Sequence, residues 1–113
     1  ICETWASKGY TTFLSEKSYK PFLLYQPFVM WGDPGTVAAL RDHGYDVYDR
    51  WIDHSYDTEW HPVDRLELVI REVCRLNSMS KSDWAGMLYD MRDTLIKNNK
   101  HLRNANTRYN LKL

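Results

Sequence analysis

Six residues in the first third of the chain have the chemistry to engage a phosphorylated ligand: Glu16, Lys17 and Lys20, then Asp33, Gly35 and Thr36. Lysine ammonium groups counter phosphate charge, a carboxylate accepts hydrogen bonds from ribose hydroxyls, and a glycine lets backbone approach a ligand closely. Asp33-Pro34-Gly35-Thr36 reads as the opening of a helix, with Asp33 as N-cap and Pro34 in the first helical position. Free N–H groups at such an opening attract anions. A plainer reading stands beside this one, in which Glu16 and Lys17 are surface charges and Asp-Pro-Gly only starts a helix.

The elements that would hold these residues follow from spacing. Residues 1–6 alternate apolar with polar, which suits a short strand, and residues 7–12 around Gly9 read as a loop. Ser15 has the character of a helix N-cap, with Pro21 deep inside the helix it would open. Either that helix is kinked, or it begins at Pro21 and runs to about Gln26. Phe28 to Trp31 is a short apolar run bounded by Pro27 and Gly32, a buried strand. A helix follows, with Val37 and Leu40 facing inward and Gly44 as its C-cap. Asp46 to Tyr48 makes a further strand with Val47 inward, and Trp51 to His61 is a polar surface excursion.

From Pro62 the period becomes helical, with Leu66, Val69, Ile70, Val73 and Leu76 as the buried stripe. Asn77 to Ser80 breaks this helix, and Ser80 with Asp83 caps the next. Trp84, Met87, Leu88, Met91 and Leu95 form its inner face. Polarity rises after Lys97, so the last ten residues are expected to fray or to depend on a partner. Alternating strands and helices predict an α/β fold, a small parallel sheet over residues 1–50 with right-handed crossovers, followed by a helix pair over residues 62–104. The whole is one domain. Such a thin sheet predicts an exposed edge, covered by self-association into a homo-oligomer.

Composition narrows the function classes. The 113 residues are 43% hydrophobic and 14% aromatic, ordinary for a folded core rich in rings. Fifteen basic and fifteen acidic residues give zero formal charge, which argues against a dedicated nucleic-acid binder. No apolar run has the length of a membrane span, and no signal peptide is evident. Cys2 and Cys74 form no C-x-x-C pair and are expected to be buried, reduced thiols of a cytoplasmic protein. The chain opens on Ile1 rather than Met, which predicts a fragment of a larger protein.

Asp53, His54, Asp57, Glu59 and His61 have the donor types for a divalent metal. Their spacing fits neither an EF-hand loop nor H-E-x-x-H, so a solvated acidic loop is expected and no metal or other cofactor is indicated. Trp51 and Trp60 would stack on a sugar ring if exposed together. His43 suits a helix C-terminus, where its charge favours the dipole.

Ile1-Cys-Glu-Thr, Phe13-Leu-Ser-Glu-Lys-Ser-Tyr-Lys-Pro21 and Gln26-Pro-Phe-Val-Met-Trp-Gly-Asp-Pro-Gly-Thr36, with the helix to Tyr45, resemble a family of mostly uncharacterised proteins. These occur in phages, marine microbes and bacterial sugar-polymer clusters. The block is similar in turn to the donor half of GT-B glycosyltransferases, notably fucosyltransferases, over roughly residues 1–60; Asp53-His-Ser-Tyr-Asp57 looks familial too. Gln26 departs from the pattern, standing where the family often has His. The resemblance implies a partial Rossmann-like donor domain, with Glu16 and Lys17 contacting a GDP- or UDP-type nucleotide sugar and Lys20 beside them. The sugar donor would be a substrate rather than a cofactor. The acceptor domain of such enzymes has no counterpart in this chain, so on its own it is expected to be non-catalytic. The competing expectation is a non-catalytic phage or marine microbial assembly protein.

Overall fold

The computed structural model describes residues 2–3 and 16–109. The fold is mainly helical, which overturns the expected α/β, Rossmann-like parallel sheet. The extended pairing among the described residues is two residues long: β1 (Cys2–Glu3) runs parallel to β2 (Met30–Trp31), with Cys2 opposite Met30 and Glu3 opposite Trp31. Around it lie α1 (Glu16–Leu23), α2 (Thr36–Asp42), a 3-10 turn (Ser55–Thr58), α3 (Pro62–Asn77), α4 (Lys81–Asp90) and α5 (Arg92–Tyr109).

Side chains take the place of the missing strands. The Asn98 side-chain amide of α5 accepts from the Asp46 N–H at 3.0 Å and donates to the Asp46 carbonyl at 2.7 Å. The Asp46 carboxylate in turn accepts the Tyr48 N–H, and Tyr48 sits at φ 67, outside any strand conformation. With those backbone groups already bonded, Asp46 to Tyr48 has no ladder to join. Val47 is nevertheless buried, as its apolar character predicts.

Local capping follows the sequence more closely. Pro62 opens α3 behind His61, and the Ser80 hydroxyl accepts the Asp83 N–H at 3.1 Å to start α4. Gly44 closes α2 at φ 94, with Tyr45 N–H bonded to the Leu40 carbonyl and Gly44 N–H to the Arg41 carbonyl, a Schellman ending. A Cβ at Gly44 would also lie 2.9 Å from Nε2 of His101, whose N–H donates to the His43 carbonyl. Pro21 lies inside α1, so the chain takes the version in which the helix begins ahead of the proline.

The core is built on rings. Phe22 of α1 stacks on Tyr45 at 4.2 Å between centroids, and Phe28 meets both Phe22 and Tyr48 edge-on. Val37, Leu40, Met91 and Leu102 belong to the same buried cluster. The α3 stripe is turned from the expected one. Arg65, Val69, Glu72 and Leu76 face inward, while Leu66 and Ile70 are exposed. Cys74 is exposed too, against the expectation of a buried thiol. The expected last helix is divided at Met91; Met91 and Leu95 are buried, Trp84 and Met87 half-buried, and Leu88 exposed.

Just beyond Lys97 the polar residues form a seam, while the side chains of residues 106–113, within the stretch expected to fray, lie outside the described residues. Asn98, Asn99 and Leu102 are buried. Asn99 donates to the Phe22 and Leu23 carbonyls at the end of α1 and accepts from the Tyr25 hydroxyl. The long α5 is thereby fastened to α1 and to the 46–48 segment. No helix among the described residues is long and apolar enough to cross a membrane.

Candidate functional site

The start of α2, the expected phosphate cradle, is filled by the protein itself. Gly35, at φ 87, stands as the N-cap, and Thr36 rather than Pro34 begins the helix. Asp33 contributes its carbonyl, which accepts both the N–H and the hydroxyl of Thr36, the latter at 2.7 Å. Asp57, 6% exposed, supplies the anion. Its two carboxylate oxygens accept the Val37 and Ala38 N–H groups, each at 2.9 Å, and its carbonyl accepts the Gly35 N–H. The donors that a phosphate would use there are already bonded. A carboxylate at a helix start satisfies orphan donors and the dipole together.

Asp57 reaches that position because four residues of the 52–57 segment belong to the core, which corrects the surface excursion there, whereas Asp53, Ser55, Thr58, Trp60 and His61 are exposed as expected. Ile52, His54 and Tyr56 are buried with it. The Met30 N–H donates to the Tyr56 phenol oxygen at 2.8 Å, and His54 Nε2–H donates to the Val47 carbonyl at 2.6 Å. Burial holds the His54 pKa below its ordinary value, so the ring is neutral and its Nδ1 accepts the phenol hydrogen at 2.7 Å. This relay ties β2, the 3-10 turn and the 46–48 segment together. Glu59 and His61 point elsewhere: Glu59 accepts the His61 N–H, and His61 caps α3. No three metal-ligating side chains converge among the described residues.

Lys17 and Lys20 are exposed on α1, which packs on α5 and β1. Glu16 is the first residue of that helix. Of the six expected residues, Asp33, Gly35 and Thr36 are brought together in one turn, and Thr36 is buried with its hydroxyl engaged.

An open cleft of about 580 Å³ lies beside α2, and none of the six lines it. Its walls carry Arg41, Asp49, Arg50, Trp51, Asp53 and Arg75. Arg41 grips Asp49 through two hydrogen bonds of 3.1 and 2.9 Å. Arg50 lies over the Trp51 ring at 5.2 Å, and the Trp51 indole N–H donates to Asp90 at 2.9 Å. Arg75 donates to the Trp51 carbonyl and to buried Glu72, which also accepts the Asp53 N–H. That pairing holds the Arg75 pKa above its ordinary value.

Chemically, the cleft offers planar cations for phosphate oxygens, carboxylates for hydroxyls and an indole for a ring. Its volume is within the ordinary range for small-molecule sites. Spacing in the sequence concealed it, because Arg41, Asp49 and Arg75 come from a helix end, a turn and a second helix. The Asp53-to-Asp57 motif was the available signal, since Asp53, His54, Ser55 and Asp57 line the cleft. Compared with protein-family models, curated proteins and solved structures, the chain has no match.

Proposed function

We propose that the chain recognises a nucleotide sugar, as the donor-binding part of a glycosyltransferase-like protein, and that it does so in the cleft beside α2. The observation that carries this reading is the lining: Arg41, Arg50 and Arg75 around Trp51, with Asp49 and Asp53 among them. Arg50 is the natural diphosphate contact, being 73% exposed and held to Asp90 by a single contact of 3.5 Å. Trp51 offers the ring face that Arg50 does not cover to a base or sugar, and the exposed Asp53 carboxylate accepts from hydroxyls. Thermal shift against GDP, UDP, CMP and their sugar conjugates tests it. One nucleotide should raise Tm in the wild type and not in Arg50→Ala or Trp51→Ala; a flat response to every ligand refutes the reading.

A second reading, assembly through copies of this chain, is favoured by one observation. Val63, Leu66 and Ile70 form an exposed apolar stripe on α3, next to Trp60 at 72% exposure. Light scattering separates the two readings, since a monomer at high concentration excludes self-assembly.

A further inference from the structure

Among the described residues, one buried side-chain donor is left unmet by the fold, and it belongs to Arg65. It projects from the buried face of α3 and is 7% exposed, yet its Nε has no hydrogen-bond partner. None of the ion pairs among the described residues includes it. Its guanidinium lies over the half-buried Trp31 ring, 5.0 Å from the centroid. Asp33 and Asp57 act on it through space. Both Asp57 carboxylate oxygens accept from the start of α2, and Asp57 forms no ion pair with Arg65.

A buried guanidinium is expensive unless its donors are met, and an apolar residue of similar volume would pack as well against Trp31. Nε is enclosed, so any occupant must approach the terminal nitrogens, where the planar fork matches the two oxygens of an oxyanion. Burial outweighs Asp33 and Asp57 and holds the Arg65 pKa below its ordinary value, as expected for a cation that its surroundings leave under-compensated.

We propose that Arg65, held over Trp31 beside the Asp33–Thr36 turn, anchors a second binding site that takes the phosphate or carboxylate group of a ligand. Arg65 does not line the Trp51 cleft, so this inference is independent of the nucleotide-sugar reading.

The test is thermal shift and calorimetry with inorganic phosphate, pyrophosphate and acetate, on wild type, Arg65→Met, Arg65→Lys and Arg71→Met. The last removes the same charge from the exposed face of the same helix. A shift with phosphate or pyrophosphate alone assigns a phosphate site, and one with acetate as well assigns a general oxyanion site. Binding should weaken about tenfold or more in Arg65→Met, as loss of a charge-assisted hydrogen bond implies, less in Arg65→Lys, and not at all in Arg71→Met. The Tm of unliganded Arg65→Met should equal or exceed that of the wild type, because a residue kept for binding is retained at a cost in stability. No shift with any of the three anions overturns the proposal. So does an equal shift in Arg65→Met, or a large fall in its Tm that Arg65→Lys restores, which would make Arg65 structural.

Discussion

Removing the Asp57 carboxylate should unfasten α2 from the 3-10 turn. In Asp57→Ala the Val37 and Ala38 N–H groups, each bonded to the carboxylate at 2.9 Å, lose their acceptor. Val37 is fully buried, so water cannot readily replace it. A hydrogen bond to a charged group contributes about 1.5–3 kcal/mol, and each buried donor left unmet costs about 1–3 kcal/mol. These figures describe overlapping effects, and partial relaxation at Ala38 lowers their sum. Loss of an N-cap alone typically costs about 1 kcal/mol and reaches about 2. Asp57→Ala should therefore lose about 3 kcal/mol, and Asp57→Asn, which keeps one acceptor oxygen, about 2. For a domain of ordinary stability, about 5–15 kcal/mol, the larger loss is substantial. Urea unfolding followed by tryptophan fluorescence and far-ultraviolet dichroism measures both, with the slope on denaturant unchanged. An Asp57→Ala protein within about 0.5 kcal/mol of wild type, the range for ordinary surface changes, would refute the capping role.

Three further outcomes follow from the same geometry. His54 is held neutral with a pKa below 6.5, so its contribution is fully present above about pH 6.5 and is lost as pH falls toward the lowered folded value, where the unfolded chain binds the proton first. Urea midpoints between pH 7.5 and 5 should fall for wild type and fall less for His54→Gln. Asn98→Ala strands the Asp46 N–H and carbonyl together with a contact to the Tyr48 hydroxyl, and should cost about 2–3 kcal/mol by urea unfolding. Val69→Ala should cost about 2 kcal/mol and Ile70→Ala about 0.5 or less, since Val69 is 3% exposed and Ile70 51%; equal losses would contradict the orientation of α3.

Features settled within a few residues were legible in the sequence. Pro62, Ser80 and Gly44 each mark a helix boundary where backbone chemistry demands one, and the structure uses all three. Misreadings came where a distant side chain completes a bond. Asp46 to Tyr48 has the character of a strand, yet its partner is the Asn98 amide, 52 residues along the chain. Period alone placed Leu66 and Ile70 inward on α3, because it takes no account of Trp31 and Asp53, which draw Arg65 and Glu72 to the inner face. Polarity placed Asp53 to Asp57 in solvent, where Asp53 and Ser55 do lie, but His54 and Tyr56 bond each other and Asp57 bonds the start of α2, so these three can be buried. The site was legible in the same measure. Asp33, Gly35 and Thr36 do form one turn, but the anion at that helix start is the protein's own carboxylate, and the Trp51 cleft is assembled from residues with no shared local pattern.

Amide and indole chemical shifts during titration with the nucleotide sugar that gives the largest thermal shift test the central claim most directly. The cleft reading predicts saturable changes at residues 49–55, Ala38, Arg75 and the Trp51 indole N–H. Changes confined to Glu16, Lys17 and Lys20, or a spectrum that does not respond at all, would contradict it.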